Sequence, residues 1–360
     1  MTTVTSRRPR LRRSDCSRPG LTRVKRGRGF SYLDADGRPL KDPEEILRLK
    51  GLAIPPAWQE VWICPDPGGH LQATGVDAAG RKQYLYHPRW RELQDRRKFD
   101  HMIDFAHALP RLRKRVLKEL AGESLNEQRV LACAIRLLDV GMFRIGSEQY
   151  ADEEGGVGLA TVEKAHVHLS ADEVVFDYLA KSGVHRVQAV RDPMSYEVAA
   201  ALKRRRGGAP QLLAYREGRR WHGVRSEQIN DFLKARMGED FSAKDFRTWN
   251  ATVLAAVALA VDGRQATSAT VRKRAINGAI RGVADVLGNT PAVARRSYID
   301  PRVFDRYLSG WTIGGEVDRI GELRGPDDRR RSRLEKAVLD LLDDDRRSPA
   351  VEQFAAHQAA

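Results

Sequence analysis

Cysteine is scarce in this chain, and what there is does not pair. Cys16, Cys64 and Cys133 are odd in number, widely separated and form no CxxC. Neither a disulfide framework nor a cysteine zinc site is supported, and reduced thiols are expected. Long apolar runs are missing as well. The longest, Val253–Val261, spans nine residues, against the roughly 20 that a membrane-crossing helix needs. No apolar segment follows the arginines near the N-terminus, so the sequence predicts no secretory signal and a cytosolic protein. Walker loop, HExxH and GxSxG are absent, and with them the usual signs of ATP hydrolysis, zinc hydrolysis and acyl transfer. Acidic side chains are outnumbered: 48 Asp and Glu face 63 Lys and Arg, for a net charge of +15 and a pI near 10.0. That balance favours a polyanionic partner, nucleic acid first and an anionic membrane surface second.

What is present organises into more than one body. At 360 residues and 40.5 kDa the chain exceeds what one hydrophobic core commonly holds, and its 41% hydrophobic residues and 30 glycines are those of a folded protein. The expected fold class is α+β, a small β-rich N-terminal domain plus a larger, mainly helical one. Residues 1–28 hold ten Lys and Arg against the single acid Asp15, which predicts a disordered basic arm. Over 29–88, Asp36-Gly37 marks a hairpin turn. Asp42 and Pro43 open a short helix with Ile46, Leu47 and Leu49 on one face, and EVWICPD, HLQATGVD and RKQYLYHP read as strands. DADG lacks the later ligands of a calcium loop and reads as a turn. Over 89–312 the apolar spacing is helical, interrupted once by a three-stranded antiparallel insert that contains His166 and His168. Those histidines occupy the polar side of an alternating strand without a third ligand, so no metal is expected there. Residues 313–360 read as a charged tail with a short amphipathic helix carrying Leu334, Val338, Leu341 and Leu342.

The residues left to do chemistry are arginine, lysine and tyrosine. Together they can hold nonbridging phosphate oxygens, supply a nucleophile and protonate a leaving oxygen without a metal. In FRIGSEQY, Arg144 follows a helix ended by Gly141 and precedes Gly146, where a guanidinium can fork onto a phosphate. In SAKDFRTW, Ser242 and Asp245 form a capping box, so Arg247 sits in the early turns of a helix. Lys181 stands at the KSG turn of the strand insert. In NTPAVARRSY, Thr290 and Pro291 start a helix and Tyr298 follows two turns later beside Arg295 and Arg296. Singly, each also reads as an ordinary surface charge or turn residue.

In this order, FRIGSEQY, LAKSG, KDFRTW and NTPAVARRSY, with IPPAW and GVDAAGRKQYLYHP ahead of them, resemble the motifs of the type IB DNA topoisomerases. The likeness is to the small poxvirus-like bacterial branch, over about residues 29–310. The resemblance implies that Tyr298 attacks a DNA phosphodiester, leaving a 3′-phosphotyrosyl link and a free 5′-hydroxyl. It further implies that Arg144 and Arg247 hold the nonbridging oxygens and that Lys181 protonates the 5′-oxygen. Asn289 would complete the phosphate pocket where many relatives carry histidine, and Lys244 would help proton transfer. DNA contacts map onto Lys82, Gln83, Tyr84 and Tyr86. The family usually places glycine before the lysine; this chain has Ala180. The implied enzyme is a nucleoid-associated monomer that clamps double-stranded DNA between its two domains and needs no ATP, metal or small-molecule cofactor. A tyrosine recombinase and a non-catalytic DNA-coating protein are the alternatives. The N-terminal domain and the NTPAVARRSY ending argue against the first, the spacing of Tyr298 and Lys181 against the second.

Overall fold

The computed structural model describes residues 10–146, 156–264, 266, 268–321 and 327–354. The chain divides into two units, residues 1–100 and 101–360, and the division falls inside a long helix rather than in a loop. The first unit is built on five antiparallel strands: β1 (Leu21–Arg26), β2 (Gly29–Leu33), β3 (Gln59–Ile63), β4 (Leu71–Val76) and β5 (Lys82–Tyr86), in the order β2-β1-β3-β4-β5. Leu21, Val61, Ile63 and Ala73 point to one side and pack with Leu49 and Ile54. Leu49 belongs to α1 (Pro43–Gly51), which starts where the Asp42 side chain accepts from the Glu44 N–H. Leu47, expected on the same face, is 72% exposed.

One expectation for this unit needs correcting. The basic arm does not extend to residue 28, because Leu21–Arg26 is an interior strand paired with both β2 and β3. Its basic side chains hide the pattern. Arg23 donates to the carbonyls of Ile54 at 2.7 Å, Pro55 at 2.8 Å and Trp58 at 3.0 Å, so this cation ties down the IPPAW segment. The expected Asp36-Gly37 turn closes a short hairpin, with Leu33 bridged to Pro39 and Leu40 N–H donating to Tyr32 O at 2.9 Å, while the longer β1–β2 hairpin, which the sequence reading passes over, turns at Gly27 (φ 56°).

The helix α2 (Pro88–Leu120) runs through the division into the second unit, which holds α3 (Glu127–Gly141), β6 (Val167–Leu169), β7 (Val174–Ala180), β8 (Val184–Val190) and α4 (Pro193–Arg204). A hairpin, β9 (Ala214–Glu217) and β10 (Arg220–Gly223), follows, then α5 (Ser226–Met237), α6 (Ala243–Asp262), α7 (Ala269–Leu287), α8 (Pro291–Ser297) and α9 (Pro301–Leu308). The expected three-stranded insert is β6-β7-β8, antiparallel throughout. The β9–β10 hairpin is a second interruption that the helical reading passes over. Helix α3 is apolar nearly all round and is buried from Arg129 to Asp139, which makes it the axis on which α4, α5 and α6 pack.

The segment expected as a charged tail is folded onto this unit over its described part. It forms β11 (Trp311–Thr312), α10 (Gly314–Gly321), α11 (Asp327–Leu342) and β12 (Glu352–Gln353), with β11 and β12 paired. In α11, Val338, Leu341 and Leu342 are buried. Arg331 and Glu335, which look like solvent charges in the sequence, turn inward. Arg331 reaches Asp139 at 2.6 Å and Asn250 at 2.9 Å, and Glu335 accepts from Arg113 at 2.5 Å.

Candidate active site and nucleic-acid interface

The ends of three helices set the geometry. Helix α3 stops at Gly141, where a Cβ would strike the Phe143 ring. Met142 then takes a left-handed conformation (φ 53°), sending Phe143 into the core and leaving Arg144 half-buried. Helix α6 starts with the expected capping box, Ser242 N–H donating to Asp245 Oδ2 at 2.8 Å, which sets Arg247 in its early turns at 4% exposure. Helix α7 ends at Leu287, and left-handed Gly288 (φ 60°) turns the chain into Asn289 and the Thr290 cap of α8. Tyr298 is the C-cap of α8. Its carbonyl accepts from the Thr252 hydroxyl at 3.3 Å, which fixes the backbone of the tyrosine to α6.

These elements bring four of the sequence-predicted residues together. Arg247 donates to Met142 O at 2.5 Å and Leu287 O at 2.9 Å, and its guanidinium carbon lies 5.2 Å from the centroid of the Tyr298 ring. Arg144 donates to Gly288 O at 2.9 Å and to Asn289 Oδ1. The acceptors at Leu287 and Gly288 lie at the C-terminal end of α7, where the helix dipole is negative and favours cations. Burial pulls Arg247 down from the usual arginine range to about 10; the Tyr298 phenol opposes the shift and Arg144 adds to it. At neutral pH the group is still cationic. Two buried donors of the cluster, Arg247 Nε and Asn289 Nδ2, have no hydrogen-bond acceptor. Leaving one such donor unmade costs about 1–3 kcal/mol, and folded proteins rarely tolerate it without a use. Two of them in a cluster that also holds the Arg144 guanidinium suit an anionic oxygen.

Lys181 lies in the exposed 3-10 turn Lys181–Gly183 that joins β7 to β8. Ala180 before it has φ −84° and ψ −177°, extended backbone that any residue adopts, so glycine is not required there. The turn is stitched to Arg144 by the intervening backbone: Val157 N–H donates to Leu179 O at 2.9 Å, and Leu159 N–H to Arg144 O at 2.9 Å. Gly156 packs so tightly on this turn that a Cβ would come within 2.7 Å of Lys181 Cα. Lys244 is exposed in the first turn of α6, one turn before Arg247, and its side chain is not drawn into the cluster by any hydrogen bond or ion pair among the described residues. His166 Nδ1 accepts from Glu163 N–H at 3.1 Å, a local cap.

In the first unit the four expected DNA-contact residues separate by strand alternation. Tyr84 and Tyr86 share one face of the edge strand β5, with ring centroids 6.2 Å apart and nearly parallel planes. Lys82 Nζ lies 5.9 Å from the Tyr84 centroid on that face. Gln83 is on the opposite face and donates to Asp77 at 2.8 Å.

The β-sheet unit and the helical unit with its three-stranded insert define the class of protein, a DNA topoisomerase. Residues 87–308 match the family model of the eukaryotic DNA topoisomerase I catalytic core, and residues 29–77 that of the bacterial DNA topoisomerase IB N-terminal domain. The chain belongs to the type IB DNA topoisomerase family. It is 29% identical over 288 residues to DNA topoisomerase 1B of Acanthamoeba polyphaga mimivirus, covering 78% of this chain and 85% of the viral one. Against DNA topoisomerase 1B of vaccinia virus (strain Copenhagen) the identity is 21% over 233 residues, 64% of this chain and 71% of the other. A DNA topoisomerase 1 of Candidozyma auris is 26% identical over 255 residues, 65% of this chain but 31% of that protein.

Three side chains near the cluster have no counterpart among the residues picked from the sequence: Thr252, and the strand pair Tyr178 and Arg186. No sequence signal marks Thr252. For Arg186 one existed, since it alternates in phase with buried Val190 on β8.

Proposed function

We propose that this chain relaxes supercoiled double-stranded DNA by cutting and resealing one strand, with Tyr298 as the nucleophile. The Tyr298 hydroxyl gives its proton to solvent as its oxygen attacks phosphorus, the new O–P bond forms as the bond from phosphorus to the 5′-oxygen breaks, and the 5′-oxygen leaves with a proton from Lys181, which solvent then restores. Arg144, Arg247 and the Asn289 amide take the nonbridging oxygens, where charge builds up in the transition state. One phosphoester replaces another, so the bond energy stays in the 3′-phosphotyrosyl link and resealing needs no ATP. Lys82, Tyr84 and Tyr86 offer a charged and stacked face to the DNA, and Lys244 assists proton transfer. Gln83, committed to Asp77, is left out of this reading. The enzyme acts as a cytosolic, nucleoid-associated monomer without a metal or small-molecule cofactor.

The observation that carries this reading is the pair of unsatisfied buried donors, Arg247 Nε beside the Tyr298 ring and Asn289 Nδ2 on the side chain that holds Arg144. Plasmid relaxation in EDTA without ATP tests it, together with denaturing gels that detect protein-linked DNA. The wild type should relax the plasmid and form the adduct. Tyr298→Phe, which removes one oxygen and little packing, should bind DNA and do neither. Normal adduct yield in that variant, or a requirement for ATP or a divalent ion, would sink the assignment.

A further inference from the structure

The face of the strand insert turned toward the cluster carries an arginine that none of the residues assigned above accounts for. Arg186 on β8 stands directly opposite Tyr178 on β7, and Tyr178 is 5% exposed. The other face of the same two strands carries Leu179, His185 and Val187, all exposed, and the half-buried Asp177. Arg186 is therefore on the inward side, where a cation needs a reason.

Its surroundings supply one. Arg186 Nη2 donates to Val286 O at 2.9 Å and to Gln188 Oε1 at 3.0 Å. Its Nη1 lies against Gly288, where any Cβ would collide with it. Three guanidiniums are thus hung on three successive carbonyls at the end of α7: Arg186 on Val286, Arg247 on Leu287 and Arg144 on Gly288. None of the three makes an ion pair with a carboxylate among the described residues. Asp285 lines the same cavity of about 440 Å³ as Arg186 but is exposed and forms no ion pair with it. Other inward arginines of this unit are of two kinds: Arg136 is neutralised by Asp192 and Arg113 by Asp139 and Glu335, whereas Arg205 and Arg272 spend their donors on carbonyls, each away from any second guanidinium of this cluster. Arg186 also hydrogen-bonds the Tyr178 phenol, so every protein partner of this guanidinium is neutral. Like charges gathered without an acid are held for an anion.

We propose that Arg186 is a third guanidinium of the phosphate pocket, contacting a nonbridging oxygen of the cleaved strand within one nucleotide of the bond that Tyr298 attacks. Gln188 and the Val286 carbonyl orient it, and Tyr178 fills the space behind it. The inference rests on the topoisomerase reading of the site.

Single-turnover cleavage by Arg186→Gln and Arg186→Lys tests it. The substrates are a plain duplex and three duplexes with one neutral methylphosphonate, placed at the attacked phosphate or at either neighbour. On the plain duplex Arg186→Gln should cleave about 10–100-fold more slowly, the scale of one lost hydrogen bond to a charged group, and Arg186→Lys less so. On the duplex whose methylphosphonate removes the contacted charge, the variant should lose little or nothing relative to wild type. An equal penalty on all four duplexes would make the arginine merely structural and overturn the proposal, as would no penalty on any. If Arg186→Gln melts at a lower temperature, Arg186→Lys, which keeps the charge and the strand position, carries the same comparison. A wild type that forms no adduct would instead overturn the topoisomerase reading.

Discussion

At the residue scale the assignment that geometry supports least directly is Lys181, because it stands at an exposed turn and is tied to the cluster by backbone. Its proposed task makes a specific prediction. An alkoxide leaves poorly, so Lys181→Ala should slow cleavage by about 10²–10⁴, the usual yield of general acid catalysis. Sulfur in place of the bridging 5′-oxygen leaves as a thiolate without needing that proton, so single-turnover rates on this substrate should largely recover. Arg144→Ala and Arg247→Ala should stay slow, since the nonbridging oxygens they serve are unchanged. Equal recovery for the arginine variants, or none for the lysine variant, would take the proton from Lys181. Tyr307, the other tyrosine near in sequence, offers no substitute nucleophile. It is 1% exposed, donates to Gly263 O at 2.8 Å and stacks on Phe354, and burial raises its pKa. The places of Tyr298, Arg144 and Arg247 next to helix ends were legible from caps and glycines, whereas Asn289 was singled out only through the family resemblance. Arg186 was not, since 63 basic residues conceal one more and only strand phase separates it from the rest. Gln83 was grouped with its neighbours although alternation sends it to the other face.

Elements follow the same logic of hidden phase. The sheet of the first unit, the strand insert and the capped starts of α1, α6 and α8 could be read from alternation and caps, whereas the sequence left open whether the amphipathic helix α11 packs or dangles, because half its residues are charged. The charges are its attachment. Burial alone would raise the Asp139 carboxyl, but Arg331, Arg113 and Arg136 outweigh it and hold the group at about 2. This buried node joins α2, α3 and α11, and through Asn250, which donates to Asp139 O at 2.8 Å, also α6, the helix that carries Arg247. A carboxylate with a folded value below its unfolded one stabilises the fold above the unfolded value, and that contribution fades as pH falls through the folded value. We therefore expect Asp139 to contribute fully above about pH 4 and progressively less toward about pH 2. Asp139→Asn leaves three guanidiniums around a neutral amide and should cost about 3–5 kcal/mol at neutral pH. Denaturant melts of both proteins across that pH range should converge at the acid end. Parallel curves would show that Asp139 is not the group that titrates.

For the whole molecule the charge of +15 is an electrostatic quantity whose use depends on where the charges are anchored. Ten of the 63 basic residues lie in residues 1–28, and a flexible arm would lend all ten to DNA. The fold has already claimed much of that segment. Arg12 N–H donates to Gly68 O at 2.9 Å, Ser14 Oγ to Leu71 O at 2.9 Å, and β1 pairs on both sides within the sheet. Removing residues 1–28 should consequently unfold the first unit rather than only loosen DNA. The discriminating truncation is shorter. Residues 1–9 contain two basic side chains, Arg7 and Arg8, and each phosphate neutralised contributes about 0.9 to the slope of log affinity against log salt. Deleting residues 1–9 should leave the melting temperature and single-turnover cleavage at saturation unchanged while making that slope shallower by at most about 2. Filter binding or fluorescence anisotropy over a salt series measures it. A larger loss of slope, or a fall in melting temperature, would mean that the first nine residues support contacts made by the rest of the chain. A slope shallower by the full amount would make both arginines direct phosphate ligands.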